Sequence, residues 1–326
     1  MDKKFHTNLI VSSAPHIVTD SDTTRLMGTV LLALAPAFIA SVYIFGARVI
    51  LLSAVCMVAS VAFEFLFNLA RKKEQTVGDL SAALTGLLIA FNVPSTFPLW
   101  QAILGCAFAI IVVKGLYGGL GKNFSNPAIT ARIFLFISFA SNMSTWPTTR
   151  LDATDAVTGA TPLAILGEGG SVDALPSLGQ MFLGFHGGAC GEVCSLALLI
   201  GGLFLIIKKV ISPIIPCAFI GTVFVYALIA TQSFHMAVFH VLAGGVMLGA
   251  FFMATDYVTS PKLPLGQLIF GIGCGFITMS IRLFGSYPEG VSFSILLMNL
   301  ITPLLNNLSY KYYCKKADAK FGKGGK

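Results

Sequence analysis

Charge is scarce in this 326-residue chain: 11% of its residues are Asp, Glu, Lys or Arg, while 56% are apolar or aromatic. A water-soluble domain carries about 25% charged residues. The scarcity excludes a disordered chain, a coiled coil and a soluble enzyme domain as readings of the whole. Alternating ten-residue strands are missing, which argues against a membrane β-barrel. No basic helix interleaved with aromatics is present, so the net charge of +7 does not point to nucleic acid. The seven cysteines include no C-x-x-C pair, and no iron–sulfur cluster is expected. Cys190 and Cys194, read as one helix face with His186 four residues earlier, are too few ligands for a metal, and none is expected. Residues 1–24 are polar and no short apolar segment with a small-residue cleavage site follows them, so no cleavable leader is expected. Gly118-Gly-Leu-Gly121-Lys122-Asn123 lacks the first glycine, the Ser/Thr and the preceding strand of a phosphate-binding loop.

What the chain has is apolar runs. Ten are read as spans: 26–45, 49–69, 80–93, 99–113, 128–140, 193–207, 214–230, 237–254, 265–281 and 291–305. The third and fifth are too short for a core of about 30 Å. Pro94 and Pro127 bound them, so each reads as a half-helix or broken helix, tolerated at membrane depth only against protein or a cavity. With the N-terminus inside, 17 of the 21 lysines and arginines fall on inner segments; Arg48, Arg150 and Arg282 lie outside and Arg132 within a span. Inner loops of membrane proteins carry that excess. Both termini are therefore expected in the cytoplasm and residues 141–182 outside. That long loop divides the chain into five spans and five, so the halves are expected to be inverted. Gly86-Leu-Leu-Ile-Ala-Phe-Asn-Val-Pro before Phe97-Pro-Leu-Trp-Gln resembles Gly249-Ala-Phe-Phe-Met-Ala-Thr-Asp before Leu263-Pro-Leu-Gly-Gln. The fold expected is all-α: ten transmembrane helices in two inverted five-helix repeats with broken helices. Inverted repeats with broken helices are common in transporters. The expected segments are 1–25 (cytoplasmic), 26–140 (first half), 141–182 (outer loop), 183–308 (second half) and 309–326 (basic tail).

Ionisable residues in or beside spans are costly and mark sites when unpaired. Glu64, Asp79 and Asp256 lie near inner span ends, where interfacial or paired roles are expected first. Glu192 and Glu289 adjoin Gly191 and Gly290 at the outer starts of spans and are stronger candidates for an ion pathway, with Asp256 and Asp79 behind them. Capping a helix is the plainer role for both glutamates. Arg132, inside the fifth span, is a natural partner for a carboxylate. The Gly271-Ile-Gly273-Cys-Gly275 run reads as close helix packing. In the outer loop, Asp155-Ala-Val-Thr158-Gly159-Ala160-Thr161-Pro162 reads first as a small-residue turn with Thr161 capping a helix that begins at Pro162. It also suits a modification acceptor, with small neighbours leaving the Thr161 hydroxyl open.

That segment resembles the flavinylation motif D-x-x-[S/T]-G-A-T, in which the last Thr carries FMN through a phosphoester made by a flavin transferase outside the membrane. The whole chain resembles the D-subunit family of the Rnf ion-translocating ferredoxin:NAD⁺ oxidoreductase complexes, and a related family, the B-subunits of the Na⁺-translocating NADH:quinone reductases. Ser13-Ala-Pro-His16, Phe124-Ser-Asn-Pro-Ala128 with Ala131-Arg132, Gly191-Glu192, Met253-Ala-Thr-Asp256-Tyr-Val-Thr-Ser-Pro261 and Tyr287-Pro-Glu-Gly-Val291 carry the match. The resemblance implies a multi-pass cell-membrane protein with covalent FMN on Thr161, and Asp155, Thr158, Gly159, Ala160 and Arg132 around it. It implies electron transfer among the other membrane and soluble components of the complex, coupled to Na⁺ or H⁺ movement, with membrane lipid and the flavin transferase as further partners. A non-covalent riboflavin is implied by analogy, with no motif to locate it. The chain has no acid–base dyad and is not expected to catalyse alone. The alternatives are a B-subunit-like component of an NADH:quinone reductase, a solute transporter or channel with inverted repeats, and a structural anchor for soluble redox proteins; the last two would carry no covalent flavin.

Overall fold

The computed structural model describes residues 22–147, 149, 158–167, 175–285 and 289–321. Asp155, Ser13 to His16 and Tyr287 lie outside these residues, and so does most of the stretch leading to Thr161. Fourteen helices and two very short strands are described: α1 Thr23–Phe45, α2 Arg48–Ala70, α3 Ser81–Phe91, α4 Leu99–Gly115, α5 Pro127–Ser138, α6 Ala140–Ser144, β1 Trp146–Pro147, β2 Thr158–Gly159, α7 Pro162–Gly167, α8 Leu178–Leu183, α9 Ser195–Ile207, α10 Ile214–Thr231, α11 Phe234–Leu242, α12 Val246–Met253, α13 Pro264–Phe284 and α14 Val291–Phe321.

Local chemistry sets many of the ends. The Asp22 carboxylate caps α1. Asn126 caps α5, whose first residue is Pro127. Ser177 and Gln180 form a reciprocal capping box on α8, which ends at Gly184 in the left-handed conformation. Pro264 opens α13.

Each of the ten predicted apolar runs contains a helix, but they differ in reach. Five helices (α1, α2, α10, α13, α14) are long and apolar enough to cross a membrane, and the bent pair α11–α12 makes six. The others, α3, α4, α5 and α9, have 10–17 residues. The expected shortness of the third and fifth runs is therefore present in α3 and α5. The eighth run, read as continuous, is instead broken: α11 and α12 meet at 64° across Ala243, Gly244 and Gly245. The tenth continues as helix well beyond 305, to Phe321, through the basic tail. The latter part of α4, Phe108–Gly115, is π-helix, as is Gly249–Met253 of α12.

Large apolar side chains are exposed on the apolar helices, among them Ile39, Tyr43, Val58, Ile207, Ile229 and Leu304. Such a surface suits lipid rather than water. Small residues let backbones meet inside. A side chain at Gly201 of α9 would strike the Ala33 carbonyl of α1. Gly271 and Gly275 of α13 face α10, and Gly273 faces Met298 of α14, as the close-packing reading expected. Packing pairs α2 with α3 and α4, and α10 with α11 and α13; between the halves, α1 meets α9 and α5 meets α14.

Candidate functional site

Three interruptions of the helices meet around one side chain, Arg132 of α5. The first is the end of α3. Asn92 follows its last residue, donates to the Leu88 carbonyl, and offers its own side-chain oxygen to Arg132 Nη1 at 3.0 Å. The second is the turn before α9. Gly191 N–H donates to the Phe91 carbonyl and Cys190 N–H to that of Val93, at 2.9 and 3.1 Å. This places Glu192 Oε1 2.6 Å from Arg132 Nη1. The third is the Gly244-Gly245 break. A side chain at Gly245 would fall 2.7 Å from Glu192 Oε1, and one at Gly244 would fall 2.9 Å from Leu163 and 3.2 Å from Arg282 Nη2. Glu289, two residues before α14, closes the set with a short ion pair to Arg132 Nη2.

Breaking a helix leaves carbonyls unpaired at one end and N–H groups at the other. Arg282, in the last turn of α13, donates to the carbonyls of His240 and Ala243 at 2.5 and 2.7 Å, capping the C-terminus of α11. Glu192 stands beside Gly245, which precedes α12, where the helix dipole favours negative charge. The break is thus stabilised by side chains of opposite sign. Arg282, expected on the outer side just past its span, lies in the last turn of α13, half-buried, with its guanidinium turned to the break. Neither Glu192 nor Glu289 caps the helix that follows it; both carboxylates are committed to Arg132. The carboxylate partner expected for Arg132 is therefore present twice over.

Thr161 borders this cluster. It lines a narrow cleft with His186, Gly188, Glu192, Gly244 and Glu289. Its hydroxyl accepts from Ala164 N–H at 3.1 Å, the cap expected from Thr161-Pro162. Thr161 is 4% exposed. The hydroxyl is therefore not open, as the small-neighbour argument had it: Gly159 and Ala160 are exposed while Thr161 turns inward. Thr158 and Gly159 form β2, paired with Pro147 and Trp146 of β1. His186 Nδ1 lies 3.0 Å from the Gly187 carbonyl, which assigns the proton to that nitrogen. Burial holds the imidazole below its ordinary pKa, so it is neutral near pH 7. His186 Nε2 and Glu192 Oε2 are buried without a hydrogen-bond partner. Buried polar atoms of this kind call for a partner such as a water, an ion or a ligand.

Asp79 and Asp256 do not join this cluster. Asp79 accepts from Ser81 N–H at 2.8 Å at the start of α3, and Asp256 accepts from the Thr259 hydroxyl at 3.0 Å. Glu64 is in the paired role expected for it, 2.6 Å from Lys114 of the π-helical turn. Cys190 and Cys194 do not share a helix: Cys190 lies in the turn and Cys194 immediately precedes α9. Among the described residues no group of three or more His, Cys, Asp or Glu is placed to hold a metal. Sequence reasoning missed Asn92 and the Gly244-Gly245 break, and it gave His186 and Arg282 other roles. The glycine pair inside an apolar run was the one available signal.

Exposed apolar helices, five or six of them long enough to span, around a buried charge cluster define the class as a multi-pass membrane protein. The chain belongs to the NQR2, RnfD, RnfE family, whose sequence profile matches residues 10–314. It is 48% identical over 304 residues to the D-subunit of the Na⁺-translocating ferredoxin:NAD⁺ oxidoreductase complex of Acetobacterium woodii, covering 93% of this chain and 94% of that one. It is 41% identical over 310 residues to the D-subunit of the proton-translocating ferredoxin:NAD⁺ oxidoreductase complex of Clostridium ljungdahlii, covering 92% and 94%. The D-subunit of the ion-translocating oxidoreductase complex of Shewanella amazonensis is 38% identical over 339 residues, covering 94% and 96%.

Proposed function

We propose that this chain is the membrane component of an ion-translocating ferredoxin:NAD⁺ oxidoreductase complex that carries FMN as a phosphoester on Thr161. The observation that carries the reading is the position of Thr161. The last residue of a D-x-x-T-G-A-T motif borders a buried cluster holding two guanidinium groups and unsatisfied polar atoms. The residues fit the group. Arg132 and Arg282 supply positive charge for a phosphate or for the ring's carbonyl oxygens, and His186 Nε2 accepts a proton or hydrogen bond. FMN, when bound, supplies one- and two-electron transfer. The chain's own residues bind it, orient it and exclude water. The Thr161 hydroxyl reaches the flavin transferase only when its cap on α7 opens, so attachment precedes or accompanies a local opening of that turn.

In this reading ten membrane-embedded helical segments form two inverted halves, with both termini cytoplasmic and Thr161 on the outer side. The matching helix pairings, α2 with α3 and α4 in one half and α10 with α11 and α13 in the other, support the repeat, and the lysine and arginine distribution supports the sidedness. Electrons pass through the chain between its partners in the complex while Na⁺ or H⁺ crosses; relatives of either ion specificity are similarly near. Glu289 and Glu192 are the ion-pathway residues of this proposal, with Asp256 and Asp79 as further candidates.

The test is in-gel flavin fluorescence and intact mass of the chain from cells with the flavin transferase. Wild type and Thr158→Ala should glow after SDS; Thr161→Ala should be dark yet still membrane-inserted. A glowing Thr161→Ala band would remove Thr161 as the acceptor. For the ion, Glu289→Gln should retain covalent FMN and assembly but lower ²²Na⁺ uptake or membrane potential in proteoliposomes of the complex. Wild-type transport would return Glu289 to a purely structural role.

A further inference from the structure

The last helix outruns the bundle. α14 is packed as far as Ser309, which is fully buried and lies 2.8 Å from where a side chain on Gly266 of α13 would begin. Near the same level, Lys262 N–H donates to the Asn306 side-chain oxygen at 3.1 Å. From Tyr310 to Phe321 the helix then runs on for twelve residues. That is a length of about 18 Å. No residue from Tyr310 to Ala317 is buried.

The headgroup layer is only about 5–8 Å deep on each side of the hydrocarbon core. Tyr310 and Tyr312, both exposed, are of the residue type found at that level. Lys315 and Lys316 are exposed and stand about 8–9 Å further along the helix. Residues 310–326 hold six lysines and one aspartate. Lys311 with Lys315, and Lys316 with Lys320, are like charges one turn apart, which weakens a helix standing alone. None of Lys311, Lys315 and Lys316 pairs with a described carboxylate. On the same side of the span, Lys122, Lys208 and Lys262 are exposed as well. An anionic headgroup can meet Lys311, in the first turn past the bundle. It does not reach Lys315, Lys316 and Lys320 on a helix that continues a span away from the membrane. A carboxylate-rich protein surface reaches all four, and exposed tyrosines suit a protein interface.

We infer that the projecting end of α14 is a docking site for an acidic, soluble protein on the cytoplasmic side. The inference rests on the reading of this chain as a membrane component of a larger complex with its C-terminus in the cytoplasm. Cys314 lies on the projecting helix, and in a Cys194→Ser, Cys217→Ser chain it is the one cysteine that is not buried. A maleimide carrying a photoreactive diazirine is placed on it in the gently solubilised complex. Illumination should join it to one soluble component, through a peptide rich in Asp and Glu. The yield should fall several-fold in 1 M NaCl, where the Debye length is about 3 Å. Lys315→Glu with Lys316→Glu and Lys320→Glu should abolish the adduct and release that component, with membrane insertion unchanged. Lys315→Arg with Lys316→Arg and Lys320→Arg should retain both. Adducts confined to phospholipid, or to detergent and solvent, would overturn the docking site while leaving the complex in place. A protein adduct indifferent to salt and to charge reversal would overturn it too. A wild-type chain that purifies with no other component would overturn the larger reading along with the docking site. Labelling of Lys262→Cys by impermeant maleimide on intact spheroplasts would overturn the cytoplasmic placement.

Discussion

Arg132 is the residue on which the most depends. It holds Glu192, Glu289 and Asn92 at once, buried in a setting with little water. Removing one partner of a buried ion pair strands the other charge, at a cost of about 3–5 kcal/mol. Arg132→Gln should therefore lower thermal stability in detergent sharply, and Arg132→Lys should recover little, because one ammonium cannot replace a planar fork reaching two carboxylates. Adding Glu192→Gln to Arg132→Gln should restore part of the loss. An additive double variant would mean that the pair contributes nothing to stability. Glu64 and Lys114 admit the same comparison: Lys114→Met should destabilise, and Glu64→Gln with Lys114→Met should come close to wild type. These partnerships were only half legible in the sequence. A lone Arg in an apolar run announces a partner. Which carboxylate it takes depends on a fold that brings position 132 to 192 and 289, and no local pattern states that.

At the scale of the helices, close approach is set by glycine. Gly201→Ala would drive a methyl group into the Ala33 carbonyl and force α1 and α9 apart. It should lower the melting temperature by several degrees. Gly221→Ala in α10, where nothing lies within 4 Å, is the control and should be neutral or stabilise by about 0.5–1 kcal/mol, the usual helical gain over glycine. Equal effects from the two changes would refute a role for the crossing. The ten apolar runs were legible because lipid-facing and core-facing helices are both apolar, and their ends are marked by Asn126-Pro127 and Leu263-Pro264. The α11–α12 bend was not, because Val-Leu-Ala-Gly-Gly-Val-Met-Leu keeps its hydropathy through the break. Hydropathy alone takes no account of the Arg282 side chain that satisfies the broken end.

For the molecule as a whole, the lysine and arginine distribution sets a sidedness that labelling can read. A cysteine placed at Val172 should react with an impermeant maleimide on intact spheroplasts, and one at Lys262 only after the membrane is opened. The reverse pattern would invert the chain and leave Thr161 out of reach of an outer enzyme. The charge cluster has a consequence at this scale. Two arginines and two glutamates meet where the two halves touch, Arg132 and Glu192 buried and Glu289 and Arg282 half-buried. In such a medium an extra unit of charge a few ångströms away is far more costly than in bulk solvent. Were the proposed flavin to take on an electron beside Arg132, the added charge would favour the entry of a cation there. Electroneutrality at one buried point would then tie electron arrival to cation entry with no moving part larger than a side chain.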